Sequence, residues 1–286
     1  MNLEDLNDIP PWEWPEDTTA KVLAALRNRD APEKYRLLAA DLAGDMVILN
    51  EELGSALLSI AESSVESDDL RSMAAISLGP GLEDAATGDY DDPEDAPAFS
   101  EAFVQKVNSA LHSLYSNPEV PTEVRRCVLE ASVRNPQHWH AEAVRNSYSS
   151  NDRDWQLTSI FCMRYVPGFE DQILQALKSK DPDIHYNAVE AAGNWELDSA
   201  WPHIAHLVTS PGTEKSLRLA AISAAMVIRP HETEIIEPLV DSDDEDISEA
   251  AMDALTEAGF AADWDSEEQD EDYDPDDDQE DDDEEE

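Results

Sequence analysis

The 286-residue sequence predicts an all-α protein, an α-solenoid of about seven antiparallel helix pairs, and three observations carry that expectation. The first is a recurrent line. "DPDIHYNAVEAAG" from 181, "TEKSLRLAAISAA" from 213 and "DEDISEAAMDAL" from 244 read alike. So do "APEKYRLLAADLAG" from 31, "SDDLRSMAAISLG" from 67, "PTEVRRCVLEASV" from 121 and "DRDWQLTSIFCM" from 152. Each opens on capping residues, then an apolar residue, a polar one and a small apolar block. The second is the polar column itself: Arg36, Arg71, Arg125, Gln156, His185, Arg218 and Ser248, at steps of 35, 54, 31, 29, 33 and 30 residues. The third is punctuation by Gly, Pro and Asn, which breaks each interval in two and leaves room for two helices of about a dozen residues.

The N-terminal residues 1–19, "MNLEDLNDIPPWEWPED" and two threonines, hold Trp12 and Trp14 between prolines and are expected to cover the open end of the first helix pair. Residues 20–262 form the repeats. Asp181-Pro182 shows how a helix starts: Asp accepts from the free N–H groups of the first turn, and Pro at the first helical position loses no hydrogen bond. Gly193 is expected to end that helix in the left-handed conformation. Ile184, Ala188, Ala191 and Ala192 share one face, and Leu197, Trp201, Ile204 and Val208 form the stripe of the next helix. The long step of 54 residues holds "GPGLEDAATGDYDDPEDAPAF", an acidic insertion at 79–98 expected to be an exposed loop. Residues 263–286 carry 18 acids and no base and are expected to be a disordered tail.

Composition narrows the partners. With 67 acids against 18 Lys and Arg the net charge is −49, and residues 1–262 alone still carry −31. Nucleic-acid binding relies on neutralising phosphates with Lys and Arg, so nucleic acid and anionic membrane are not expected partners; a basic protein is. Abundant Asp and scarce Lys also fit adaptation to high salt. No run approaches 18 consecutive apolar residues, and the N-terminus has no signal-peptide pattern, so the expected compartment is the cytoplasm. Cys127 and Cys162 sit in apolar surroundings and read as free buried thiols.

On the lines "SDDLRSMAAISLG" and "DPDIHYNAVEAAG" the chain resembles the HEAT-repeat superfamily, in particular the short HEAT-like repeats named after phycobilisome lyases. The resemblance covers about residues 20–260. It implies stacked helix pairs, and a family that includes scaffolds, adaptors, chaperone-like subunits and a few enzymes. Some relatives attach or detach bilins on antenna proteins. Deoxyhypusine hydroxylase, another HEAT-like protein, holds iron on several His-Glu dipeptides; this chain has one, His231-Glu232.

Residues that invite chemistry are few. His203 and His206 lie three apart on a helix and are expected on its outer face; Trp139 is expected in the core with His138 and His140 at a solvated edge. The loop "DYDDPED" lacks the Gly and Glu that an EF-hand needs at its sixth and twelfth positions, which are Glu94 and Ser100. No P-loop, GxGxxG, HExxH or CxxC occurs, so no catalytic residue, cofactor or metal is expected. The resulting expectation is a non-enzymatic scaffold that binds a basic protein through its groove and acidic segments, with Trp12, Trp14, Glu142, His203 and His206 as contact residues. Two alternatives stand beside it: an enzyme or accessory subunit resembling HEAT-like bilin lyases, and an acidic DNA mimic that regulates a basic DNA-binding protein.

Overall fold

A computed structural model describes residues 2–88 and 97–268 of the chain. Among the described residues the regular structure is helical, with no strand. The helices are α1 (Thr18–Arg27), α2 (Glu33–Leu42), α3 (Glu51–Glu62), α4 (Asp68–Ile76), α5 (Gly79–Thr87), α6 (Glu101–Ser116) and α7 (Thr122–Ser132). They continue with α8 (His140–Tyr148), α9 (Arg153–Cys162), α10 (Glu170–Ala176), α11 (Pro182–Asn194), α12 (Trp201–Thr209), α13 (Lys215–Ile228) and α14 (Glu245–Glu268). The chain divides into two compact units, Met1–Phe169 and Glu170–Glu286.

In the first unit α1 packs on α2, α3 on α4, α6 on α7 and α8 on α9, while α2, α4, α7 and α9 also pack in a row. In the second unit α10 packs on α11 and α12 on α13, α11 lies against α13, and α14 packs on α13. The fold is a HEAT-like helical repeat, in which each pair buries an apolar face that it cannot bury alone.

Side-chain caps start many of these helices. Asn50 accepts from the N–H groups of Glu52 and Leu53 at the head of α3, and Asp181 from those of Asp183 and Ile184 at the head of α11. The polar column ends the helices. Arg36 donates to the Leu26 carbonyl (3.2 Å), Arg71 to Ala61 (3.2 Å), Arg125 to Tyr115 (2.8 Å) and Gln156 to Ser150 (2.8 Å); Arg218 reaches Ser210, and Ser248 reaches Val240 (2.6 Å). Each donor satisfies a carbonyl that the end of the preceding helical segment leaves without an intrahelical partner. The sixfold recurrence explains why the column recurs in the sequence.

Three local expectations are corrected. The segment expected to be a loop from residue 79 begins as α5, because Gly79, Gly81 and Leu82 are buried. Added Cβ atoms at Gly54 and Gly81 would collide with the Phe99 ring, so the two glycines make the slot that Phe99 fills. Gly193 does not end α11 in the left-handed region. It stays helical and gives close approach to α13, where Ala224 lies 3.1 Å from where a Cβ would stand, and Glu196, with φ 49°, makes the turn instead. Last, α14 runs to Glu268, beyond the expected start of the tail at 263. The calcium-like loop at 89–95 and the tail from 269 lie outside the described residues.

Candidate functional site

The first unit holds a cavity of about 610 Å³ beside α6 and the turn between α7 and α8. Phe99 and Val104 supply apolar walls, and Gln105, Asn108, Asn135 and Gln137 supply amides. Asn135 organises them. Its Oδ1 accepts from Asn108 Nδ2 (3.0 Å) and Gln137 Nε2 (2.9 Å), and its Nδ2 donates to the Leu82 carbonyl (3.4 Å). Asn108 Oδ1 is buried with no hydrogen-bond partner among the described residues. A buried acceptor left unpaired costs on the order of 1–3 kcal/mol.

His140 anchors the turn that carries Asn135 and Gln137. It is fully buried, whereas Trp139 is only partly covered, the reverse of the expected arrangement. The reason is hydrogen bonding: the Gln137 N–H donates to His140 Nδ1 (2.7 Å), and Nε2 stands 3.0 Å from Ser132 Oγ. Trp139 covers the imidazole, its ring centroid 3.8 Å away. With Nδ1 accepting, a neutral imidazole carries its proton on Nε2 and donates to Ser132, which donates to the Leu129 carbonyl (3.3 Å). Burial pushes His140 down to about 4, so it is neutral at pH 7. The pair has the members of a nucleophile–base couple with the proton on the wrong nitrogen for a base. It positions the amides and leaves serine unactivated.

The contact residues expected from sequence fall as follows. Trp12 is 78% exposed, while Trp14 packs against the core and its Nε1–H donates to the Leu6 carbonyl (3.1 Å). Glu142 is exposed on α8, and His206 is exposed on α12. His203 does not stand outward beside His206. It is half-buried and turned onto His185 of α11, Nε2 to Nε2 at 2.7 Å, with ring centroids 5.0 Å apart. Burial lowers the pKa of both imidazoles; His185, His206 and Lys178 lower that of His203 further. His185 is thus the member of the polar column that does not cap a preceding carbonyl in the manner of the other six. Its departure from Arg in the repeat line was the only sequence signal for this pair.

No family model matches this chain, and no curated protein matches it. Among solved structures, human deoxyhypusine hydroxylase in complex with glycerol is similar at 15% identity over 87% of each chain, with a TM-score of 0.41. The complex of CpcE and CpcF of phycocyanin lyase from Nostoc sp. is similar at 17% identity, over 88% of this chain and 98% of that one, with a TM-score of 0.44. Both likenesses are of fold alone. They correct the expectation of a non-enzymatic scaffold, because the proteins found are an enzyme and the parts of a lyase. Among the described residues no helix is long and apolar enough to cross a membrane.

Proposed function

We propose that this chain is an enzyme, or an accessory subunit of one, resembling the HEAT-like bilin lyases, and that the cavity of its first unit takes a small planar ligand with N–H donors. The observation that carries this reading is a cavity of about 610 Å³ whose wall brings together the amides of Gln105, Asn108, Asn135 and Gln137. That size lies within the roughly 300–1,000 Å³ of small-molecule sites. The walls complement such a ligand. Ala85, Pro97 and Val104 offer apolar surface, the amides offer donors and acceptors, and Glu101 is the charged group among the lining residues. A linear tetrapyrrole presents pyrrole N–H groups to an acceptor of this kind, with its carboxylates left in solvent.

Titration of the native chain with biliverdin, followed by red absorbance and by quenching of tryptophan fluorescence, tests the reading. Saturable binding is expected, and Asn108→Leu, folded by circular dichroism, is expected to weaken it at least about tenfold, the cost of losing one buried hydrogen bond. Absence of saturable binding, or equal binding by a folded Asn108→Leu protein, removes the reading.

A further inference from the structure

The second unit carries a feature that the proposed ligand cavity does not use. His185 and His203 point their Nε2 atoms at each other across the α11–α12 turn at 2.7 Å. We propose that this pair is a two-imidazole site for a borderline divalent transition-metal ion such as Cu²⁺, Zn²⁺ or Ni²⁺, with water in the remaining positions.

Geometry carries the proposal. Two neutral imidazoles can approach this closely only when one nitrogen donates its proton to the lone pair of the other, so both Nε2 atoms already converge on one small volume. A metal ion replaces the shared proton there. At metal–nitrogen distances of about 2.0–2.1 Å and a near-tetrahedral angle, the two nitrogens stand about 3.3 Å apart. The rings therefore need to part by roughly 0.6 Å, a shift that half-exposed side chains accommodate by small rotations. The donor ring changes tautomer, moving its proton from Nε2 to Nδ1, and no net proton is released.

Position in the repeat supports the same conclusion. Arg36, Arg71, Arg125, Gln156, Arg218 and Ser248 are occupied in closing carbonyls at helix ends, whereas His185 pairs forward with His203. Imidazole nitrogen favours the borderline ions over Ca²⁺ and Mg²⁺, which take the oxygen ligands abundant elsewhere on this surface.

The test is electron paramagnetic resonance of Cu²⁺ added in substoichiometric amount to the full, tag-free chain at pH 7. Nitrogen superhyperfine structure from two imidazoles is expected, lost in His185→Gln and in His203→Gln and kept in His206→Gln. Should the variants misfold, protection of His185 and His203 from diethyl pyrocarbonate by Zn²⁺, mapped by mass spectrometry on the native chain, decides instead. Oxygen-only spectra in the native chain, nitrogen structure surviving in both folded pair variants, loss in His206→Gln alone, or absence of Zn²⁺ protection overturns the proposal. Failure of biliverdin binding leaves it untouched, because the two sites share no residue.

Discussion

Arg36 and Glu66 form a two-pronged ion pair inside the first unit, with Nη1 2.5 Å and Nη2 3.0 Å from the two carboxylate oxygens. The same guanidinium donates to the Leu26 carbonyl, so one side chain closes α1 and ties α2 to the turn before α4. A planar fork does both at once; an ammonium cannot.

Arg36→Ala is accordingly expected to destabilise the protein by about 3 kcal/mol, because it strands a largely covered carboxylate, while Arg36→Met with Glu66→Leu costs less. Urea unfolding checks the order. Arg36 also holds the Glu66 carboxyl below its ordinary value. The stabilisation is therefore complete above the ordinary glutamate pKa and fades as pH falls through the lowered one. In Glu66→Gln that part of the acid dependence is absent.

His140 gives an acid dependence in a different window. Its pKa falls from the ordinary 6.5 to about 4 on folding, so between these values the unfolded chain binds the extra proton. Stability from this group is full above pH 6.5, declines as pH falls, and is lost below about 4, for a total of roughly 3 kcal/mol. Urea midpoints of the native chain and of His140→Asn, measured across that range, are expected to converge toward the acid end. A constant difference refutes the assignment.

Phe99 and Gly81 are expected to be coupled. Gly81→Ala drives a methyl group into the Phe99 ring and costs about 1–3 kcal/mol by overpacking, against a gain of about 1 kcal/mol in helix propensity. In a Phe99→Leu background the same substitution costs less, since the smaller side chain leaves room. Thermal unfolding of the four proteins in a double-mutant cycle measures the difference, and additivity of the two changes argues against the slot.

Cys127 and Cys162 are expected to be inert in the folded protein. Burial pushes the first thiol up to about 11 and the second well above its ordinary value, so almost no thiolate exists at pH 8. Iodoacetamide at pH 8 should label neither until urea unfolds the chain, as mass spectrometry would report. Rapid labelling of the native protein contradicts this burial.

Much of the helical structure was legible because its causes are local. The cap at Asp181 accepts from N–H groups two and three residues away, and the column from Arg36 to Ser248 reaches carbonyls six to ten residues back. Such short-range partners leave a period in the sequence. Gly79 and Gly81 did not read as helix, because glycine normally argues against one and only the bulk of Phe99 explains them here.

The candidate sites were legible in part. His203 was picked out by its spacing from His206, yet an i, i+3 spacing specifies a neighbour on one helix and is silent about the next helix. Trp139 and His140 were exchanged in the expectation because hydrophobicity ranks tryptophan as core, whereas hydrogen bonds to Gln137 and Ser132 make burial of the imidazole tolerable.

By itself the sequence determined that this protein is a repeat of helix pairs, since capping, helical spacing and carbonyl closure act within about ten residues. Tertiary structure decided which side chains meet: His185 with His203, Phe99 with two glycines, and Asn108 with Asn135 but with its own Oδ1 unpaired. These outcomes depend on volume and hydrogen-bond competition among segments distant in the chain, which no periodicity encodes.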